Sequence, residues 1–319
     1  MTKKLKLLLL SEKRDYIVEK PLGQKIDWKA YNASWYTRLF DQALEKECDL
    51  DQYGPGFKNF DKNQSLSELA SRKPYDAVIV RLSREQGFKD FNEIKPLKVN
   101  IAGDLFDGGF RMQRYREHHS RCHYDLMLCY SELTQYWAYR WEYADNFEFL
   151  PFSADININQ NLFLPKQYDV MACFNSWARA KRSLNRHRIK ILISRKMPIR
   201  HWTDRAYYMD HVWKINQSKI CMNYAHQGFF NPRYFEILAC GGFLLTSQPK
   251  YDFNSIGLMP GKHFATYSNL EDLPDIINYW LTHKKERKRI ARRGMRYARR
   301  YHSTKRRARQ MIGIINKYL

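Results

Sequence analysis

The stretch Gly228-Phe-Phe-Asn-Pro-Arg233-Tyr-Phe-Glu236-Ile-Leu-Ala-Cys-Gly-Gly-Phe-Leu-Leu-Thr246 decides how this 319-residue chain is interpreted. A loop with glycine and proline leads into a short helix, the Gly-Gly pair ends the helix, and an apolar run typical of a buried strand follows. In parallel α/β sheets, ligands bind beside the carboxyl ends of strands, where such helices begin. The stretch therefore predicts a ligand site at the start of this helix.

Two charged residues of this predicted helix indicate which ligand groups it could bind. Arg233 would add a full charge to the partial positive field at the helix N-terminus, a combination that suits a pyrophosphate. Glu236 follows three residues later on the same face, where a carboxylate can accept hydrogen bonds from ribose hydroxyls. An ordinary capped helix with a surface Arg–Glu pair has the same spacing, so the pattern alone leaves both interpretations open.

Short apolar runs alternate with longer amphipathic segments, which is typical of parallel α/β architecture. At about 150 residues per domain, the length predicts two domains. A polar, asparagine-rich segment at residues 155–167 separates two series of runs, so we expect domains at residues 1–160 and 161–319. The first series predicts a helix at residues 30–47 and strands at 6–10, 49–53, 77–82, 98–102, 125–129 and 148–152, and the second predicts strands at 169–174, 189–193, 220–223 and 243–246.

The C-terminal part of the chain is predicted to be helical. A capping-box pattern at residues 268–271 predicts the start of a helix with its apolar face at Leu273, Ile276, Ile277 and Trp280. Two basic helices then close the chain. The apolar stripe of the last helix consists of Ala308, Met311, Ile312, Ile315 and Leu319.

The formal net charge of +22 comes from two short stretches. Residues 178–200 carry nine Lys or Arg and no acid, residues 284–309 carry fourteen and one Glu, and the rest of the chain is balanced. Such concentration predicts a polyanionic partner, either nucleic acid or an acidic membrane surface, and the alternative is a solvated basic helix face. The candidate contacts are Arg186, Arg188, Arg292, Arg293 and Arg296.

Several function classes lose support because their motifs are missing from the sequence. The sequence has neither a G-x-x-x-x-G-K-[ST] loop nor a G-x-G-x-x-G after the first strand, which argues against a P-loop ATPase and a simple dehydrogenase. The apolar run at residues 7–10 is too short for a signal peptide or a bilayer helix. We therefore expect a cytoplasmic protein, with peripheral attachment to the inner membrane face as an alternative.

Metal and disulfide chemistry are not expected. The six cysteines form no C-x-x-C pair, so they are interpreted as reduced and mostly buried. The cluster His118-His-Ser-Arg-Cys-His123 does not have the spacing of a common zinc site. Asp49-Leu-Asp51 has the D-x-D form of metal-dependent transferases, but it enters a predicted strand and is interpreted as structural.

A carboxylate that directly follows a predicted central strand of the first domain is the candidate general base. Asp104 stands in Ile101-Ala-Gly-Asp104-Leu-Phe-Asp107-Gly-Gly109, where it could take the proton of an attacking hydroxyl. A role as helix cap or turn residue is the alternative. Asp107 and His118 are weaker candidates.

The motif Arg233-x-x-Glu-Ile-Leu-Ala-Cys-Gly-Gly-Phe-Leu-Leu-Thr246 resembles the C-terminal signature of the spore-maturation (CgeB-like) glycosyltransferases. The similarity continues through residues 260–263, 267–273 and 292–304, and residues 49–56 resemble the N-terminal half of the same group. Phage DNA glucosyltransferases are similar more distantly. They also have an Asp after the strand that is equivalent to the one before Asp104 in this chain. The resemblance implies a GT-B fold with two Rossmann-like domains facing across a cleft and helices closing the chain.

The resemblance also implies a nucleotide-sugar donor, UDP-linked in the first instance, bound mainly by the second domain without a cofactor or an obligatory metal. By position, Arg233 would bind the diphosphate and Glu236 the ribose, with Gly228 and Lys262 in the same donor site. Arg179 and Arg182 follow the first strand of the second domain, where they would bind phosphate or belong to the basic acceptor patch. The chain departs from the family at residues 173–176, where a glycine is usual.

Three functions follow from these observations. The first is transfer of a sugar to a hydroxyl of a glycan or lipid-linked acceptor, and the second is modification of a hydroxylated base in DNA. The third is a non-catalytic basic binding protein that has a transferase fold. A sugar-nucleotide epimerase shares the GT-B fold but would need catalytic carboxylates and histidines that we cannot place in the sequence. The sequence does not specify the sugar, the stereochemical outcome or the oligomeric state.

Overall fold

The computed structural model describes residues 4–11, 35–81, 90–102, 110–173, 181–204, 206 and 208–319. The chain folds into two compact units, one formed by Met1–Pro151 with Lys305–Leu319 and the other by Phe152–Thr304. Each unit is built on a parallel β-sheet with helices. The expected α/β class with two parallel sheets is therefore confirmed.

The first unit contains a six-stranded parallel sheet in the order β2-β1-β3-β4-β5-β6. Its inner strands are mainly apolar because helices cover parallel sheets on both faces. The strands are β1 (Lys6–Leu10), β2 (Asp49–Tyr53), β3 (Ala77–Arg81), β4 (Leu97–Ile101), β5 (Tyr124–Cys129) and β6 (Ala144–Phe149). The helices before residue 152 are α1 (Trp35–Glu45), α2 (Leu66–Ser71), α3 (Phe110–His119) and α4 (Glu132–Arg140).

The second unit contains a five-stranded parallel sheet in the order β11-β10-β9-β7-β8. Its strands are β7 (Tyr168–Met171), β8 (His201–Trp202), β9 (Ser218–Asn223), β10 (Leu244–Ser247) and β11 (Ala265–Tyr267). Its helices are α5 (Lys181–Lys196), α6 (Tyr208–Gln217), α7 (Pro232–Ala239), α8 (Phe253–Ile256), α9 (Leu273–Thr282) and α10 (Lys284–Tyr301).

The last helix, α11 (Thr304–Ile315), differs from the sequence-based domain assignment. The sequence grouped it with residues 161–319, but its apolar stripe packs with Leu7, Leu9 and other residues of the first sheet. Periodicity predicts which face of a helix is buried but not which sheet covers it. Leu319, expected in that stripe, is 59% exposed, and the unit boundary falls at residue 152, not 161.

Two local predictions in the second unit are wrong. The run at residues 189–193 was predicted as a strand, but it lies inside α5, where Ile189 and Ile193 are buried one turn apart. Its alternation of Ile and Lys fits a strand, whereas the buried pair fits the helical period. The pattern at residues 268–271 does not cap a helix, because α9 begins at Leu273 after Asp272.

The Asp49-x-Asp51 pair is part of the first unit's structure. Asp51 accepts hydrogen bonds from Tyr75 Oη at 2.6 Å and Lys73 Nζ at 3.1 Å, and Asp49 lies 2.9 Å from the same ammonium. Partial burial acts to raise the pKa of Asp51, but these hydrogen bonds outweigh it and hold that pKa below its usual value. The pair therefore ties β2 to the segment that leads into β3.

Across the described segments, no helix has the length and apolar character needed to cross a bilayer.

A glycine contact allows a test of how tightly α10 packs. A Cβ on Gly294 would lie 2.4 Å from the His263 carbonyl oxygen and 2.7 Å from Leu238 Cδ2. We expect Gly294→Ala to lower the free energy of unfolding by about 1–3 kcal/mol, as overpacking does. Urea unfolding followed by circular dichroism measures the change.

Gly313→Ala in α11 is the matched control, because a Cβ there meets nothing within 4 Å. Alanine is the better helix former by up to about 1 kcal/mol, so the control should be neutral or stabilising. Equal effects of the two substitutions would contradict the close packing of α10.

Candidate functional site

The start of α7 is fixed to the carboxyl end of β9 by one asparagine. Asn231 is the N-cap of the helix: its side chain accepts a hydrogen bond from Arg233 N at 3.1 Å. Its amide group donates to Tyr224 O at 3.2 Å, directly beyond β9. Pro232 occupies the first turn, where its missing N–H costs nothing. The loop, helix and strand predicted from the sequence are therefore present, and the cap anchors them to the sheet.

A buried polar network lies behind this helix start. Thr246 Oγ1 donates to Tyr234 Oη at 3.0 Å, and Asn223 Nδ2 donates to the same threonine at 3.5 Å. Ala225 N donates to Ser247 Oγ at 2.8 Å. Satisfied networks of this kind rigidify the groups they join. The carboxyl ends of β9 and β10 and the start of α7 are thus held as one piece.

The backbone N–H groups of the first turn of α7 are already used. Pro232 has none, Arg233 N is bound to the Asn231 side chain, and Tyr234 N donates to Asn231 O at 3.1 Å. The field of the helix N-terminus remains, but these groups do not offer free donors to an anion. Any direct contact with an anion therefore depends on side chains.

Arg233 is the side chain placed for that contact. Its Nε is buried and has no hydrogen-bond partner. Burial raises the pKa of the Cys173 thiol to about 12, and the charge of Arg233 acts in the opposite direction. Arg233 thus acts electrostatically on Cys173, which follows β7. Because β7 and β9 are neighbours, the guanidinium lies at the carboxyl ends of both strands, where an anion would gain a charge-assisted hydrogen bond.

Glu236 does not form a surface pair with Arg233. It is 8% exposed, and its Oε2 lies 3.4 Å from Nε2 of His211. His211 comes from α6, is 4% exposed, and has no hydrogen-bond partner at either ring nitrogen. A buried carboxylate beside an unsatisfied imidazole is unusual in a purely structural position and marks a candidate site.

The basic residues after β7 divide into groups. Arg179 lies outside the described residues, and Arg182 belongs to the first turn of α5. Arg186, one turn further, is half-buried with its guanidinium 6.0 Å from the centre of the Tyr224 ring. Arg186 was assigned to the polyanion patch, but it lies at the same sheet edge as Arg233. Arg188 is exposed and lies 3.6 Å from Glu271.

Gly228 and Lys262 are at different ends of α7. Gly228 has a φ of +83° in the loop after β9, and its carbonyl accepts from Lys250 N at 2.7 Å. It therefore lies at the end where Arg233 is. Lys262 is in the loop that leads into β11, next to His263, whose carbonyl touches α10 beside Leu238 in the last turn of α7. The structure does not bring Lys262 to the start of the helix.

The remaining candidates of the first unit are in its core or outside the described residues. Asp104 and Asp107 lie outside them. His118 Nε2 is 2.6 Å from Tyr124 Oη, and burial, with a smaller effect of Arg121, lowers the pKa of His118 to about 4. His119 stacks on another aromatic ring. Within the described ranges, no three His, Cys, Asp or Glu side chains are grouped to hold a metal ion.

The three candidate arginines near the C-terminus are exposed on α10. Arg292, Arg293 and Arg296 point away from the buried face of that helix. They are therefore on a surface different from that of Arg233, which is part of the sheet edge.

Sequence reasoning missed the roles of Asn231 and His211. The Asn-Pro pair before the helix is a recognisable cap signal, so Asn231 could have been found. His211 stands in Met209-Asp-His-Val-Trp213 with no motif around it. Its approach to Glu236 depends on how α6 packs on α7.

Comparisons with known proteins concern the family and the fold. Residues 173–313 match the glycosyl transferase-like family. This matched range includes α7 and the loop before it. None of the curated proteins matches the chain. The family match is broader than the spore-maturation group, which stays a prediction.

Three solved structures illustrate the fold. Anabaena HepE in complex with UDP has a TM-score of 0.67 at 13% identity, covering 98% of this chain and 100% of HepE. Sucrose-phosphate synthase from Thermosynechococcus elongatus has 0.65 at 11%, covering 99% of both chains. The DNA modifying enzyme β-glucosyltransferase has 0.61 at 13%, covering 97% and 99%. The fold of this chain is the GT-B glycosyltransferase fold, as predicted.

The cap of α7 can be tested separately from any ligand. Asn231→Ala removes both the acceptor for Arg233 N and the donor to Tyr224 O, so we expect a loss of about 1–2 kcal/mol in the free energy of unfolding. Asn231→Ser keeps a capping oxygen and should lose less. Chemical denaturation of both variants measures the difference; wild-type stability of the alanine variant would show that the cap does not fix the helix.

Proposed function

We propose that this protein is a glycosyltransferase that takes its sugar from a nucleoside-diphosphate donor, UDP-linked in the first instance. The observation that carries the proposal is Arg233, a cation with an unpartnered buried Nε at the carboxyl ends of β7 and β9. The glycosyl transferase-like match includes this residue, and the similar HepE structure contains UDP.

In this proposal the donor diphosphate lies against Arg233, in the field of the α7 N-terminus. Arg186, at the same edge, adds a second cation, and Arg182 in the first turn of α5 a third. Glu236 accepts hydrogen bonds from the ribose hydroxyls, and His211 limits the directions in which its carboxylate can point. These cations balance the charge of the diphosphate, so the proposal includes no metal and no cofactor.

The chemistry is a displacement at the anomeric carbon. The acceptor hydroxyl oxygen forms a bond to that carbon, the bond to the diphosphate oxygen breaks, and the nucleoside diphosphate leaves with the bonding electrons. Arg233 and the helix field stabilise the charge that develops on the leaving group. Asp104 is proposed to take the hydroxyl proton, a role that comes from its sequence position alone.

Removal of the Arg233 guanidinium tests donor binding. Hydrogen bonds to charged groups contribute about 1.5–3 kcal/mol, and the first-turn N–H groups cannot replace them. We expect Arg233→Ala to weaken UDP binding about 10- to 100-fold, measured by titration calorimetry. Arg233→Lys keeps the charge without the planar fork, so its UDP affinity should lie between those of the wild type and Arg233→Ala.

The matched control is Arg195→Ala, which removes an exposed arginine from the last turn of α5 and should bind UDP as the wild type does. Equal binding by wild type and Arg233→Ala would remove Arg233 from the donor site. If no nucleoside diphosphate or its sugar binds the wild type, the non-catalytic alternative is favoured instead.

The general base has its own test. We expect Asp104→Asn to lower kcat by about 10²- to 10⁴-fold, the range for loss of a general base, while UDP affinity stays unchanged. Asp107→Asn, three residues away, is the control and should keep most of the activity. Single-turnover kinetics with a hydroxyl acceptor measure both variants. Full activity of Asp104→Asn would end the assignment.

A further inference from the structure

The exposed face of α10 consists almost entirely of cations. Nine residues of this helix are exposed, and eight of them are Lys or Arg; the ninth is Tyr301, the last residue. We call these eight the α10 face: Lys284, Lys285, Lys288, Arg289, Arg292, Arg293, Arg296 and Arg300.

Packing fixes which side of α10 faces water. Ile290, Ala291, Gly294 and Ala298 are buried, and a Cβ on Gly294 would clash with the His263 carbonyl oxygen. A rotation of the helix would bring a side chain into that contact. The α10 face is therefore held outward by the same packing that buries the opposite side.

The inward arginines of this helix donate hydrogen bonds to other helices, whereas the hydrogen bond described for the α10 face, from Arg292 Nε to Lys288 O, stays within α10. Arg287 is buried and donates to the Trp280 and Leu281 carbonyl oxygens at the end of α9. Arg299 donates to the Ala239 carbonyl oxygen at the end of α7, at 3.3 Å. A cation at a helix C-terminus is favourable. These two arginines are thus accounted for by the fold itself.

Little negative charge offsets the α10 face. Glu286 is the one acid in the helix, and it lies 3.6 Å from Arg289 while accepting a hydrogen bond from Tyr279. In the part of the chain that the structure describes, none of the other seven cations forms an ion pair with a carboxylate. Like charges one turn apart destabilise a helix, so this arrangement is unfavourable for the protein alone and becomes favourable beside a polyanion.

We propose that the α10 face binds the phosphate backbone of duplex nucleic acid. From Lys284 to Arg300 the helix spans about 24 Å at 1.5 Å per residue. Over that length one strand of a duplex presents about seven phosphates, at 3.4 Å each, which is comparable to the eight cations. Five of the eight are arginines, whose planar fork binds phosphate oxygens in pairs.

An acidic membrane is the other polyanion that the sequence predicted, and the α10 face fits it less well. Helices that lie on a bilayer bury an apolar face in it, with Trp, Phe or Leu between the headgroups. The apolar side of α10 is covered by its own domain, and its exposed side carries no Trp, Phe or Leu. A linear row of cations without insertable residues favours a rod-shaped polyanion in water.

This inference does not rest on the donor site. The α10 face specifies the polyanionic partner, and with it favours the DNA acceptor over the glycan or lipid-linked one. Its failure would leave the proposed sugar transfer in place, and the reverse also holds.

The test compares two triple variants that remove the same charge. K288Q/R292Q/R296Q removes one row of the α10 face, and R188Q/R195Q/K196Q removes three exposed cations of α5. Each loses two arginines and one lysine from the same unit. All six side chains are exposed, so both variants should fold; circular dichroism and thermal melts check this.

The full chain is titrated with a fluorescent 20-base-pair DNA duplex between 50 and 200 mM NaCl. We expect the α10 variant to bind at least tenfold more weakly at 50 mM and its log K against log salt slope to become shallower by about 2–3, near 0.9 per lost phosphate contact. The α5 variant should lose less than threefold. Arg233→Ala should bind the duplex as the wild type does.

Parallel titrations with phosphatidylcholine vesicles, with and without 30% phosphatidylserine, distinguish the membrane alternative. Equal weakening of DNA binding by the two triple variants would show that overall charge, not the α10 face, is responsible. Loss of vesicle binding in the α10 variant with unchanged DNA binding would assign the face to the membrane. Either result overturns the proposal.

Discussion

The capping of α7 by Asn231 is the constraint on which the rest of the candidate site depends. One side chain accepts from Arg233 N and donates to the backbone after β9, so the start of the helix cannot move without breaking both bonds. The cap also has a chemical consequence: it uses the N–H that an anion would otherwise bind. In the proposed function, recognition of the diphosphate therefore falls to the guanidinium of Arg233, because a guanidinium can distinguish a diphosphate from a single charge by its two donor edges.

A charged residue on α7 is unusual because the helix is surrounded by the protein core. Residues 234–239 are all buried, so the helix behaves as a core element, and a carboxylate on it is expensive to desolvate. Glu236 is kept there beside His211, although neither ring nitrogen of the histidine gains a hydrogen bond. A position that only needed to fill space would be apolar. In the proposed function the Glu236 carboxylate serves the ribose of the donor, which would account for a polar pair at this position.

The sequence predicted what depends on local signals and missed what depends on packing partners. The Gly–Pro loop, the helix with Arg233 and the Gly-Gly stop are local, and they were found. The run at residues 189–193 satisfies two periodicities, and only the position of α5 against the sheet decides between them. Likewise, the stripe of α11 specified a buried face but not its sheet. Arg186 was predicted in the polyanion-binding surface but lies at the sheet edge near Tyr224, because its position depends on where α5 begins.

The net charge of the chain overstates what a partner can use. Arg287 and Arg299 belong to a basic stretch, yet each is hydrogen bonded to carbonyl oxygens at the end of a neighbouring helix. Arg186 lies against Tyr224 at the sheet edge. On α10, eight cations remain that face water along one side of the helix. The salt dependence of binding counts only the cations that displace counterions, so under the α10 proposal its magnitude is set by the α10 face and not by the formal charge of +22.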